Sequence, residues 1–175
     1  MKKVDFKAEV VPGVSLAGIP IGTVYDEIDI NAFDVIKMLN TEISEKFGWI
    51  HSAVIEHPNL LVLKNVDGKE IPYLLYINGY GVVLHFDNFE KVIRVTVRDA
   101  YEGVYKDFIK VGSYLNDVLN IMPLEYNGFD EIYLSKDAFD ENNKISDKEY
   151  RIGFIAPEVD EEEIFSQVIE GFTVF

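Results

Sequence analysis

Residues 13–28 read GVSLAGIPIGTVYDEI, and residues 103–118, ninety positions later, read GVYKDFIKVGSYLNDV. The two stretches share an initial Gly-Val, a later Ile, a Gly followed by Thr or Ser, and two acidic or amide residues before a closing Ile or Val. This order is typical of a strand, a glycine corner and a helix whose first turn is polar. The sequence therefore predicts one supersecondary unit that occurs twice.

The corner of each copy makes three local predictions. Gly22 and Gly112 predict turns with positive φ, which glycine adopts without steric cost. Thr23 and Ser113 follow the glycines and are predicted to be helix N-caps. We expect six apolar side chains of the two copies to face the core: Ile19, Ile21, Ile28, Ile109, Val111 and Val118.

Two helices are predicted behind these corners. The first begins after Thr23 and continues with helical apolar spacing through Ile36, Ile43 and Phe47 to Gly48, with Asn31 as the place where it could break. The second begins after Ser113 and is ended by Pro123, because proline cannot continue a helix.

Turn signals between the two copies predict an antiparallel meander of about five strands. Asp67-Gly68 and Asn78-Gly79 are strong hairpin signals, because a type I′ turn needs positive φ at both central residues. Apolar and β-branched residues between the turns predict strands at residues 49–56, 60–65, 71–77, 80–86 and 89–98.

The C-terminal part of the chain predicts further strands at residues 131–135 and 150–155 and an apolar end at 171–175. The expected fold class is α+β: an antiparallel β-meander covered by helices and built from two unequal copies of the strand, glycine corner and helix unit. We expect residues 1–175 to form a single compact domain, with pseudo-repeat halves at roughly 1–98 and 99–175.

Acidic residues dominate the charge, at 31 against 16 lysines and arginines, for a net charge of −15. From residue 125 to the end there are 14 acidic and 4 basic side chains. A field of this sign repels nucleic acid and anionic membranes and attracts basic partners. We therefore expect a basic protein partner, with neither nucleic acid nor membrane binding.

The partner is predicted to bind the acidic C-terminal half. Seven carboxylates there stand in turns or at the start of a helix predicted after Pro157, where side chains are exposed. They are Asp137, Asp140, Glu141, Glu158, Asp160, Glu161 and Glu162. The alternative location is the aromatic meander around Tyr73, Tyr76 and Tyr80.

Catalytic and metal-binding patterns are not indicated. The chain has no cysteine, and the spacing of His51, His57 and His85 does not match a set of metal ligands. No serine lies in a nucleophile elbow, and no pair of carboxylates is singled out as general acid and base. The sequence predicts no catalytic residue, no metal site and no cofactor.

Two stretches resemble bacterial immunity proteins. The first is residues 14–28, with Ser15-Leu16-Ala17-Gly18-Ile19-Pro20-Ile21-Gly22. The second consists of the segments Val92-Ile93-Arg94-Val95-Thr96-Val97, Tyr101-Glu102-Gly103 and Ile109-Lys110-Val111-Gly112. Immunity proteins of this kind neutralise the C-terminal toxin domains of contact-dependent growth inhibition and related polymorphic toxin systems. Together these stretches cover about a quarter of the chain.

The resemblance implies a protein that covers the active site of a cognate toxin domain, in many cases a nuclease with a basic substrate groove. The alternating charged and apolar residues at the start of the chain predict no secretory signal, so we expect a cytoplasmic location. The alternative is an uncharacterised enzyme with a carboxylate-rich site that acts on a small substrate.

Overall fold

The computed structural model describes residues 1–138, 148–159 and 163–175. Within these ranges the chain has an α+β fold, with one large and mostly antiparallel sheet and a few short helices. None of those helices has the length and apolar content needed to span a bilayer.

The elements of the described ranges are short. The strands, in chain order, are β1 (Lys2–Lys3), β2 (Ser15–Leu16), β3 (Ile19–Pro20), β4 (Ile28–Asp29), β5 (Ile36–Leu39), β6 (Leu60–Val66), β7 (Lys69–Ile77), β8 (Val82–Phe86), β9 (Val92–Arg98), β10 (Leu124–Asn127), β11 (Ile132–Ser135), β12 (Ile152–Ile155) and β13 (Gly171–Val174). The α-helices are α1 (Asn40–Phe47), α2 (Ile50–Glu56) and α3 (Leu115–Leu119), and 3₁₀ turns span Tyr25–Glu27, Lys136–Ala138, Lys148–Tyr150 and Ile164–Ser166.

Nine of these strands form the main sheet, in the order β10-β11-β12-β13-β9-β8-β7-β6-β5. Every neighbouring pair is antiparallel except β5 and β6, which are parallel. The strands predicted at residues 60–65, 71–77, 80–86 and 89–98 are confirmed as β6 to β9 with small shifts of their bounds. The hairpin turns are confirmed too, with positive φ at Asp67, Gly68, Asn78 and Gly79.

The register of the sheet is symmetric about the pairing of β9 with β13. Thr96 lies opposite Thr173, and their hydroxyl oxygens are 3.1 Å apart. On either side of this pair, Val97 lies opposite Phe172 and Val95 lies opposite Val174. Moving outward, each half continues as an antiparallel meander: β8, β7 and β6 beyond β9, and β12, β11 and β10 beyond β13.

The two glycine corners make matching backbone contacts. Gly22 has a φ of 87° and Gly112 one of 93°, so the predicted positive φ is confirmed. The Gly22 N–H donates to the Val92 carbonyl at 2.7 Å, and the carbonyl of the residue after Gly22 accepts from the Val92 N–H. Gly112 and Ile169 repeat both bonds. The first corner is therefore bonded to the first residue of β9, and the second corner is bonded to the chain just before β13.

The predicted N-caps are wrong. Thr23 Oγ1 donates to the Pro20 carbonyl at 2.8 Å, and Ser113 Oγ accepts from the Lys110 N–H at 3.1 Å. Both hydroxyls bond within the corner turn instead of to the first turn of a helix, and the Thr23 and Ser113 carbonyls accept from the N–H groups of Val92 and Ile169. In both copies the following residue is the N-cap.

The long helix predicted from Thr23 to Gly48 is also wrong in its first two-thirds. Only a 3₁₀ turn follows the first corner; β4 then pairs with β1, and β5 pairs with β6. An Asx turn, in which Asp29 Oδ1 accepts from the Asn31 N–H, breaks the segment. Helix α1 begins at Asn40 and ends as predicted at Gly48, whose φ is 73°.

The segment predicted as a first meander strand, residues 49–56, is helix α2. Its buried residues Ala53 and Val54 and the partly buried Ile50 fall on one helical face, which packs on the sheet. No strand is needed there, because β5 already pairs with the outer edge of β6.

The main core lies on one face of the sheet and runs through both halves. Leu84 and Val95 contribute from the first half, and Phe154 and Phe172 from the second. Residues 1–35 and both corners cover this face; Ile19, Ile28, Ile109 and Val118 are fully buried, and Ile21 and Val111 pack partly buried against them. The predicted core positions of the two copies are thus confirmed.

The opposite face is covered differently in the two halves. Helices α1 and α2 pack on β5 to β8 around Ile43, Val54 and Tyr76. In the second half, Ile132, Leu134 and Ile155 form a smaller cluster with Phe175. Between these two clusters lie the polar centre, with Thr96 and Thr173, and the ends of β9 and β13.

Replacing either corner glycine by alanine is expected to lower the free energy of unfolding by about 1 kcal/mol. A Cβ at Gly22 or Gly112 meets no atom within 4 Å, so the cost comes from the left-handed φ alone. Gly128 is the matched control, because its φ lies outside the left-handed range and a Cβ there makes only a 3.8 Å contact. Urea unfolding measures all three variants, and an equal effect of Gly128→Ala would contradict the explanation.

Removing the hydroxyl at the centre of the sheet is expected to be non-additive. Thr173→Val leaves the Thr96 hydroxyl without its partner, at a cost of about 1 kcal/mol. Thr96→Val with Thr173→Val removes both polar groups and keeps the side-chain shape, so the double variant should cost less than the sum of the single variants. Additive changes in a double-mutant cycle would show that the two hydroxyls do not interact.

Candidate protein-binding surface

A groove with a volume of about 610 Å³ opens where β9 ends and β13 begins. The turn between β7 and β8, the first turn of α2 and the second glycine corner form its walls. We call it the seam groove, and its lining residues are His51, Tyr80, Arg98, Asp99, Val111, Gly112, Val168, Ile169 and Glu170.

Aromatic rings build one wall of the seam groove. His51 Nδ1 lies 3.2 Å from the Tyr80 hydroxyl, and the two ring centroids are 5.7 Å apart. Tyr76 packs edge-on against Tyr80 with centroids 5.4 Å apart. Burial raises the pKa of Tyr80, although nearby Arg98 acts in the opposite direction. Tyr80 therefore presents a neutral hydroxyl on a ring held by two neighbours.

Charged side chains stand at the opening of the groove. Arg98 Nη1 is 3.6 Å from Glu170 Oε2, and these side chains are 38% and 51% exposed. Asp99 is exposed, has a φ of 48°, and forms no ion pair within the described ranges. The groove thus carries two carboxylates and one guanidinium.

An apolar rim adjoins the groove on the side of the second corner. Tyr114 and Val168 form an isolated bridge, and both side chains are exposed, as is Phe165 in the 3₁₀ turn that packs on α3. Exposed aromatic residues beside a polar groove are a frequent feature of protein interfaces.

Of the seven carboxylates predicted to bind a partner, Asp137 and Glu158 lie in the described ranges. Both are exposed. Asp137 follows the end of β11 and Glu158 follows the end of β12; because these strands are antiparallel, the two residues stand at opposite ends of the sheet. Asp140, Glu141, Asp160, Glu161 and Glu162 lie outside the described residues, so the predicted acidic face stays a prediction.

Asp137 also lines a polar cavity of about 180 Å³ with Tyr105, Lys106 and Glu149. Burial raises the pKa of Tyr105 to about 12, and Glu149 adds to the effect. The phenol is therefore neutral, and the charges of this cavity belong to its carboxylates and to Lys106.

The tyrosines of the meander, which were the alternative location for partner binding, lie in three different environments. Tyr73 is exposed and lies under the Lys64 ammonium at 4.9 Å. Tyr76 is buried beneath the helices, and Tyr80 lines the seam groove. Of these tyrosines, Tyr80 is the one that lines the seam groove in the described part of the chain.

The three histidines are separate. His51 lines the groove, His57 caps α2, and His85 lies on β8 opposite Arg94. Within the described ranges, no three histidine or carboxylate side chains are placed to hold a metal ion.

Sequence reasoning missed the charged members of the seam groove. Arg98 and Asp99 are neighbours in the sequence, and Glu170 lies 72 and 71 positions after them. The pairing of β9 with β13 brings the three residues together. The sequence did contain one signal, because Arg98 and Asp99 end a strand whose other residues are mostly apolar or β-branched.

A comparison with models of protein families, with curated proteins and with solved structures finds no match to this chain. The resemblance to immunity proteins therefore stays a prediction.

Acid is expected to destabilise the fold through His85. Burial, and then Arg94, lower the pKa of His85 to about 4, while Asp130 opposes them. The unfolded chain binds this proton near pH 6.5. The contribution of His85 to the free energy of unfolding is therefore complete above that pH and declines by up to about 3 kcal/mol as the pH falls towards 4.

The measurement is urea unfolding of wild type and His85→Gln between pH 4 and 7, with His57→Gln as control. The difference between wild type and His85→Gln should change steadily over this range, and His57→Gln should retain the wild-type slope. Parallel curves for wild type and His85→Gln would contradict the assignment.

Proposed function

We propose that this chain is an immunity protein, which binds a cognate bacterial toxin domain in the cytoplasm and neutralises it by covering its active site. The observation that carries the proposal is the surplus of negative charge. With 31 acidic and 16 basic side chains, even complete pairing leaves 15 carboxylates without a lysine or arginine.

The ion pairs of the described residues use few of these carboxylates. Four lysine or arginine side chains are paired, with Glu90, Glu102, Asp130 and Glu170. Unpaired carboxylates on a surface attract basic proteins and accelerate their association. A nuclease toxin binds phosphate in a basic groove, and an acidic inhibitor can occupy such a groove in place of the nucleic acid.

We also infer that the two halves are copies of one unit, as the sequence predicted. The meanders that extend from β9 and from β13 with matching registers of β8 and β12, and the matching hydrogen bonds of Gly22 and Gly112, support this. On this interpretation the repeated features serve the fold, and the features that differ between the halves are the candidates for binding.

The second candidate function is an enzyme that acts on a small substrate. The seam groove, with His51 beside Tyr80 and Arg98 beside Glu170, is the observation that favours it. Pockets for small molecules bury most of the ligand, however, and the charged side chains of this groove are about two-fifths to one-half exposed. This exposure favours a protein partner.

The proposed function is tested by rescue. The chain is expressed together with the toxic C-terminal domain encoded by the adjacent upstream gene, and survival of the cells is counted. Rescue together with a stable complex of the purified proteins supports the proposal. Lack of rescue together with no binding at micromolar concentration would refute it.

Charge reversal locates the interface. Replacing Asp137, Glu158 and one or two of the other predicted carboxylates by lysine should slow association with the toxin several-fold, because attraction between opposite charges accelerates encounter. The loss should shrink as salt shortens the Debye length to about 8 Å and below. Lysine at Glu45 and Asp67, outside the C-terminal part, is the control, and an unchanged rate at low salt would move the interface to another surface.

A further inference from the structure

We propose that the seam groove receives an arginine side chain of a basic protein partner. The identity of that partner as a toxin rests on the proposed function, whereas the binding chemistry rests on the groove itself. The lining of the groove combines the Tyr80 ring with the carboxylates of Asp99 and Glu170.

The lining matches a guanidinium better than an ammonium. A guanidinium is planar, stacks on aromatic rings and donates two parallel hydrogen bonds to a carboxylate. Tyr80 lines one wall and is held by His51 and Tyr76, so an aromatic ring is already in place for contact with the guanidinium. A lysine would bring only a strongly hydrated point charge.

The carboxylates retain the capacity to bind. The 3.6 Å between Arg98 and Glu170 exceeds the 2.7–2.9 Å of a charge-assisted hydrogen bond, so Glu170 keeps acceptor positions for an incoming donor. Asp99 has no ion pair in the described part of the chain. Two carboxylates against one guanidinium, on a chain of net charge −15, favour a cation over an anion.

The backbone fixes Asp99 at the opening of the groove. The Arg98 N–H donates to the Gly81 carbonyl and the Tyr101 N–H donates to the Arg98 carbonyl, each at 3.3 Å, so residues on both sides of Asp99 are tied. Asp99 itself is in the left-handed region, which costs a non-glycine residue about 1 kcal/mol or more. The backbone that carries this carboxylate therefore loses little further freedom when the side chain binds.

Apolar side chains can take the aliphatic part of the arginine. Val111 and Val168 line the groove beside the charged group, and Tyr114 borders it through its bridge to Val168. An arginine buries its methylene groups on such surface while its guanidinium reaches the carboxylates.

The fold does not require these charges. When Thr96 on β9 is matched with Thr173 on β13, Arg98 corresponds to Phe175 and Glu170 corresponds to Ile93. The same scaffold therefore carries two apolar residues on the other side. The charges of Arg98 and Glu170 therefore have no counterpart at these two positions.

The test is an NMR titration of the full chain with a capped Gly-Arg-Gly peptide, with capped Gly-Lys-Gly as the competing probe. We expect the arginine peptide to shift the amide signals of Gly112, Asp99 and Glu170 first, and to bind several-fold more tightly than the lysine peptide. Asp99→Asn and Glu170→Gln should each weaken binding several-fold.

Two substitutions provide matched controls. Asp67→Asn removes an exposed aspartate that, like Asp99, has positive φ, at 51°. Glu102→Gln removes a glutamate that, like Glu170, is paired and more than half exposed. Neither residue lines the groove, so both controls should bind as wild type. Signals that shift evenly over the acidic surface, equal binding of the two peptides, or equal losses in controls and groove variants would overturn the proposal.

The toxin distinguishes this proposal from the proposed function. If the toxin is neutralised equally well by wild type and by the variant with Asp99→Asn and Glu170→Gln, the function stands and the groove assignment fails. If the arginine peptide binds in the groove but no toxin is neutralised, the groove assignment stands and the function fails.

Discussion

The pairing of β9 with β13 is the constraint on which the rest of this structure depends. Each four-stranded meander alone would leave the edge of its last strand unpaired, with free N–H and C=O groups that favour association with other chains. Their antiparallel pairing, centred on Thr96 and Thr173, removes both edges and makes one continuous sheet. It also makes the main core continuous, because Val95 and Phe172 then lie on the same face.

The same pairing creates the seam groove as a consequence of its geometry. β13 begins where β9 ends, so the residues just outside the paired region, Asp99 and Glu170, meet at one end of the sheet. Helix α2 and the turn at Tyr80 stand over this end and supply the aromatic wall. The two four-stranded meanders thus meet at a surface whose charged residues come from the ends of β9 and β13.

The surplus of carboxylates has a cost in the isolated chain, because like charges repel one another in the compact state. Under the proposed function, a basic partner offsets that repulsion when the complex forms. The proposal therefore links the one strong feature of the composition to an open groove whose carboxylates are accessible.

Local turn chemistry is what the sequence predicted correctly. Asp67-Gly68 and Asn78-Gly79 specified hairpins, and Gly22 and Gly112 specified left-handed corners, because each depends on a few adjacent residues. The strands between these turns and the apolar positions of the two copies followed from the same local signals.

Elements whose partners are distant in the sequence were decided only by the tertiary structure. Residues 36–39 and 49–56 have apolar spacing compatible with either helix or strand. Residues 36–39 became a strand because they pair with the edge of β6, and the other segment forms helix α2 over the sheet. The seam groove needs residues from positions 51 to 170. By itself the sequence determined the turns, the strands between them and the acidic charge. Which strands pair, and hence which side chains meet, was decided by the tertiary structure. The reason is that both apolar faces of the sheet must be buried at once, which is a long-range condition that no local pattern encodes.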